Sequence, residues 1–143
     1  MPAKSIIVQQ HLNAPVQVVW QAITNATKIK NWYFAMENFI AEPGFSFVMY
    51  GEKDGNYFPI RCCVIEAIAN KRLSYSWKEE AMEAHATVSF DLLDNGHQTI
   101  VTVTHKGLQK GATALGAARN VIGWENIIQK SLKEYVENKS ALL

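Results

Sequence analysis

Charge is scarce in this chain of 143 residues: Asp, Glu, Lys and Arg make up 19% of it, against about 25% in an ordinary soluble domain. Fourteen basic side chains face thirteen acidic ones, and no segment gathers Lys or Arg into a run. A nucleic-acid binder needs a concentrated basic footprint, so nucleic acid is excluded as an expected partner. Cysteine is scarcer still. Cys62 and Cys63 are adjacent, and on an extended strand they point to opposite faces, out of reach of a disulfide. Two reduced thiols fit a cytoplasmic protein.

Long apolar runs are missing as well. The longest stretch without formal charge, Ser5 to Thr27, is interrupted by Gln9, Gln10, His11, Asn13, Pro15, Gln17, Gln21 and Asn25, groups that hydrocarbon cannot solvate. Membrane insertion is not expected. Near the N-terminus only Ile6-Ile7-Val8 is continuously apolar, short of the roughly 7–15 residues that a secretory signal needs. The four histidines, His11, His85, His97 and His105, have no metal-ligand spacing. Nucleophile elbow, phosphate loop and dinucleotide fingerprint are all absent. No catalytic residue, metal or cofactor is therefore assigned. With no repeat or linker to divide it, the chain reads as one domain spanning residues 1–143.

What is present is a change of period. Lys4 to Leu12 alternates, with Ile6, Val8 and Leu12 on one face, as a strand does. Asn13-Ala14-Pro15 then opens a short helix, with Asn13 or Ala14 as cap and Pro15 in the first turn, carrying Val16, Val19, Trp20 and Ile23 on one side. A second small helical piece is expected after Asn25, ending near Trp32 and Tyr33. Strands are then expected near Phe34–Ile40, Phe45–Gly51, Tyr57–Ala67, Lys71–Trp77, His85–Leu93 and Gln98–Lys106, joined by Gly- and Asn-bearing turns into an antiparallel meander. The last segment, Ala112 to Asn138, reads as the longest helix. Ala117, Val121, Trp124, Ile128 and Tyr135 form its apolar stripe, flanked by Ile127 and Leu132, with Asn120 and Ser131 on the same side.

A helix laid across a curved sheet, with small helices closing one end, leaves a half-open cavity, the usual place for a ligand. Tyr75, Trp77 and Trp124 read either as core or as cavity wall, each bringing a polar atom that wants a partner. Phe90 reads as core, and Phe47 and Met49 as either core or adaptable cavity wall, with core preferred. His105 falls on the inner face near a strand end, either as a satisfied structural histidine or as a ligand contact. Glu66 either enters the cavity or is turned outward by a bulge, with outward favoured. Arg61 reads as solvated, Cys62 as inner and Cys63 as outer.

Several short motifs resemble one family in order and spacing over nearly the whole chain. They are Ala14-Pro15-Val16 with Val19-Trp20, then Trp32, Arg72-Leu73-Ser74-Tyr75-Ser76-Trp77, Thr99 to Gly107, and Gly123-Trp124. The chain is similar to the heat-shock-protein-90 ATPase activator homologues of the START-related helix-grip (SRPBCC) superfamily. That resemblance implies an α+β helix-grip fold, a curved antiparallel β-sheet wrapped around a long C-terminal helix with two short helices after the first strand. It also implies a cavity for a small hydrophobic molecule. In the co-chaperone that names the family this domain accompanies a separate N-terminal domain, and the chain is too short to supply one, so a chaperone partner is not the favoured reading.

The first functional expectation is therefore non-catalytic binding or carriage of a small hydrophobic or amphipathic molecule. Tyr75, Trp77, Phe90, His105, Asn120, Trp124 and Ile128 are its candidate contacts. The alternatives are a cavity enzyme such as a cyclase or dehydratase, using His105, Glu66 and Tyr75, and a co-chaperone-like interaction module.

Overall fold

The computed structural model describes residues 4–36, 38–53, 55–80, 85–108 and 123–141. The alternating N-terminal segment forms β1 (Lys4–Leu12). Its inner face buries Ile6, Val8 and Leu12, while Ile7 between them is 66% exposed.

Helix α1 (Val16–Thr24) starts one residue later than expected, with Pro15 itself as the cap. Its fixed φ of −66° is extended backbone, and its carbonyl accepts from the amides of Val18 and Val19 at 3.0 and 3.2 Å. Asn25 then ends α1 and caps α2 (Ala26–Ile29), its side-chain oxygen accepting from the amides of Thr27 and Lys28. The indole of Trp32 donates to the Ala22 carbonyl at 2.8 Å, fastening the chain after α2 back onto α1.

The expected strand from Phe34 to Ile40 shrinks to β2 (Ala35–Met36). Among the described residues only Ala35 and Met36 pair with β3, opposite Tyr50 and Met49. Phe39 turns inward onto Phe47 instead, with ring centroids 4.9 Å apart. Burial of that ring outweighs two or three further rungs at a sheet edge.

The remaining strands follow the expected order: β3 (Ser46–Lys53), β4 (Asn56–Ile68), β5 (Arg72–Glu79), β6 (Ala86–Asn95) and β7 (Gln98–Leu108). Every pairing is antiparallel, in the order β1-β7-β6-β5-β4-β3-β2. At the β6–β7 hairpin Asn95 stays in the ladder opposite Gln98, and Gly96 takes the positive φ of 77° that a two-residue turn requires.

Two bulges bend the sheet. In β4 the register moves from Val64 opposite Tyr75 to Glu66 opposite Ser74, leaving Ile65 as the extra residue. Ile65 and Glu66 both face solvent in consequence. The outward reading of Glu66 is thus correct, and its carboxylate pairs with Arg72 at 3.1 Å. In β7 the extra residue is Gly107, between Lys106 opposite Ser5 and Leu108 opposite Lys4. Its φ of 82° is a conformation natural to glycine.

The C-terminal helix lies against this sheet and α1. The chain turns helically from Gly123, widens into π-helical turns at Asn126–Leu132 and continues as α3 (Lys133–Ala141). Trp124, Ile128, Leu132 and Val136 are buried. Steps of four residues overshoot an α-helical turn by about 40° each, and the wider π turns offset that drift, which keeps the four side chains on one face. For the same reason the stripe passes through Val136, whereas the expected Tyr135 is only half-buried.

Glu137 accepts from the Asn13 amide at 2.9 Å and from Lys133 at 2.8 Å, tying the helix to the entrance of α1. Ala117, Asn120 and Val121, with the expected start of this helix at Ala112, lie outside the described residues. Among the described residues no helix is long and apolar enough to cross a membrane.

Candidate functional site

The inner face of the sheet is built by period two. On β5, Leu73, Tyr75, Trp77 and Glu79 all point inward and are buried. Beside them β6 contributes Val88 and Phe90, and β7 contributes Val103 and His105. Trp124 and Ile128 close over this face from the helix.

The space they enclose has two parts. Beneath α1 and α2 lies a cavity lined by Ile23, Ile29, Trp32, Tyr33, Met36, Phe39, Phe47, Leu73, Tyr75 and Phe90. Counting its open mouth it encloses about 240 Å³, but the gap between the side chains has room for about one water molecule. Its polar content is a pair of hydroxyls, Tyr33 and Tyr75, hydrogen-bonded to each other. Burial holds both phenols well above the ordinary tyrosine range, so both stay protonated. Burial likewise pushes the nearby Cys62 thiol up.

The second part is an aromatic cluster nearer the open ends of β5 and β7. The imidazole of His105 lies 4.8 Å from the Trp77 ring and 5.9 Å from that of Trp124. The Trp124 indole donates to His105 Nδ1 at 3.0 Å, and the Trp77 indole to the Glu79 carboxylate at 3.1 Å. His105 Nε2 is buried and finds no partner among the described residues. Desolvation lowers the imidazole pKa to about 3, so this ring is neutral at physiological pH.

Tyr33 links the two parts, its ring 4.9 Å from Trp32, 6.2 Å from Phe90 and 5.9 Å from Trp124.

Of the residues expected to contact a ligand, Tyr75 and Phe90 line the cavity. Trp77, His105, Trp124 and Ile128 are buried beside it in the packed cluster, and Asn120 lies outside the described residues. Phe47, open between core and cavity wall with core preferred, is buried and lines the cavity. Met49 is buried core, Cys62 is buried and Cys63 half-buried, and Arg61 is exposed, all as expected.

Sequence reasoning missed Tyr33 and Glu79. Glu79 continues the two-residue phase of Leu73, Tyr75 and Trp77, a signal that was there to be followed. Tyr33 follows a four-residue helix in irregular backbone, where no periodicity assigns a face. The proposed trio of His105, Glu66 and Tyr75 is not brought together, because the β4 bulge carries Glu66 to the opposite face of the sheet from the other two.

Sheet, helix and enclosed aromatic layer together define a helix-grip protein of the START-related type. More narrowly, the chain belongs to the Activator of Hsp90 ATPase homolog 1-like protein family, whose model matches residues 13–137. Solved structures share the fold. The protein BH1534 of Bacillus halodurans superposes with a TM-score of 0.75 at 25% identity, covering 96% of this chain and 100% of that one. CalU16 from Micromonospora echinospora gives 0.75 at 24% identity, over 96% and 68% of the two chains. The Aha1 dimer from Colwellia psychrerythraea gives 0.74 at 21%, over 94% and 96%. No curated protein matches the chain in sequence.

Proposed function

We propose that this protein binds or carries a small hydrophobic or amphipathic molecule, without chemical conversion, in the layer between its sheet and its helices. The observation that carries this reading is the cavity beneath α1 and α2, walled by apolar and aromatic side chains around a single hydroxyl pair. An apolar wall with a few fixed polar groups is what orients a small ligand. As the structure stands the gap holds about one water, so a larger guest enters by displacing Tyr33, whose irregular backbone anchors it less than a strand would. Such a protein needs no resident cofactor or metal, and with free thiols at Cys62 and Cys63 it suits the cytoplasm.

An enzymatic reading is weaker because acid and base must both reach the substrate, and Glu66 lies outside. A chaperone partner is the less favoured alternative. A steady-state ATPase assay with the host's own chaperone is expected to show little stimulation.

Native mass spectrometry of protein purified from its own host tests the main proposal. A retained small molecule, released on denaturation, is the expected result. An unliganded protein that also fails to take up hydrophobic fluorescent probes would refute it.

A further inference from the structure

The hydrogen bond from Trp124 to His105 has a chemical consequence. An indole N–H only donates, so the nitrogen it meets, His105 Nδ1, must carry a lone pair. The imidazole is neutral, since its pKa lies near 3. Its one proton therefore sits on Nε2, and Trp124 sets the tautomer. That N–H is 0% exposed and has no partner among the described residues. Its neighbours on the adjacent strands are Ile6 and Val88, whose side chains offer no acceptor. Trp77, tilted at 56° to the ring, spends its own N–H on Glu79 and accepts nothing. An unpaired buried donor is costly, and native interiors rarely leave one without a reason.

We propose that His105 Nε2–H is the specificity-determining donor for the bound molecule, and that this molecule presents a hydrogen-bond acceptor oxygen, as in a ketone, quinone, ester or ether. Trp124 is the positioning residue that forbids the other tautomer. The inference rests on the carrier reading above and narrows it: a guest that displaces Tyr33, whose ring stands between the cavity and Trp124, extends into the cluster that holds His105, where one offering only a donor would meet another donor and a pure hydrocarbon would leave the N–H unpaired.

The test compares two flat probes of one shape, fluorenone and fluorene, differing by a carbonyl oxygen. The wild-type protein is expected to bind the ketone about fivefold to tenfold more tightly, the usual return of one net hydrogen bond. His105→Phe is expected to erase the preference while still binding fluorene. In parallel, nitrogen-15 NMR of the wild-type imidazole is expected to show the proton on Nε2, with that N–H resonance moving downfield on adding fluorenone and not on adding fluorene. This second measurement does not depend on any variant folding. Equal affinity for the two probes, or a proton on Nδ1, overturns the assignment to His105 and leaves the carrier reading intact. Binding of neither probe overturns both.

Discussion

Acid should destabilise this protein through one buried side chain. His105 is neutral and fully enclosed in the folded state, its pKa lowered to about 3 by desolvation, whereas in the unfolded chain an imidazole titrates near 6.5. Below that value the unfolded state takes up a proton that the folded state refuses, so stability present above about pH 6.5 is lost as pH falls toward 3. At 1.36 kcal/mol per pH unit, the loss relative to pH 8 is about 2 kcal/mol at pH 5 and about 3 kcal/mol at pH 4.5. Against a total stability of about 5–15 kcal/mol, that displacement is easily resolved.

The assay is urea unfolding followed by tryptophan fluorescence at a series of pH values, for wild type, His105→Leu and His105→Gln. Glu137 also contributes at the acid end. Burial raises its pKa, but the Lys133 ammonium and the Asn13 amide more than reverse this, so its contribution too is lost as pH falls. That term is common to all three proteins and cancels in the difference. Both variants should be less stable than wild type at pH 8, because the Trp124 indole loses its imidazole partner, but their stability should fall less steeply between pH 7 and 4.5. Parallel slopes for wild type and both variants would refute the reasoning.

Gly107→Ala should cost about 1–3 kcal/mol, because a side chain at φ 82° is strained and its Cβ would stand 3.3 Å from the Ala86 backbone. Thermal unfolding measures the loss, and an unchanged melting temperature would contradict the bulge geometry. Trp32→Phe should destabilise by about 1–2 kcal/mol, since the Ala22 carbonyl loses its indole donor in a buried place; denaturant titration reads it. Of the two thiols, Cys63 should alkylate first and Cys62 only on unfolding, because burial both shields Cys62 and disfavours its thiolate. Peptide mapping after timed alkylation shows the order, and equal rates would contradict the burial.

Much of the fold was legible because burial imposes a period that a linear sequence displays. The alternation of Ile6, Val8 and Leu12, the stripe through Val16, Val19 and Ile23, and the Gly-bearing hairpins each announce their element locally. Adjacent cysteines on one strand announce one inner and one outer thiol in the same way. Where geometry departs from an ideal period, sequence says less. The inserted Ile65 sends Glu66 outward and separates it from Tyr75; a charged residue in the inward phase hinted at a bulge, but no local preference fixed its position. Wide turns between Asn126 and Leu132 keep Ile128, Leu132 and Val136 on one face, which α-helical spacing does not foresee.

The site depended still more on tertiary structure. Tyr33 reaches Tyr75 across 42 positions and Trp124 reaches His105 across 19. Sequence supplied the buried aromatic and imidazole groups, but which nitrogen holds the proton follows from an indole brought alongside by the packing of a helix on a sheet. A hydrogen bond between distant residues has no counterpart in the spacing of either one.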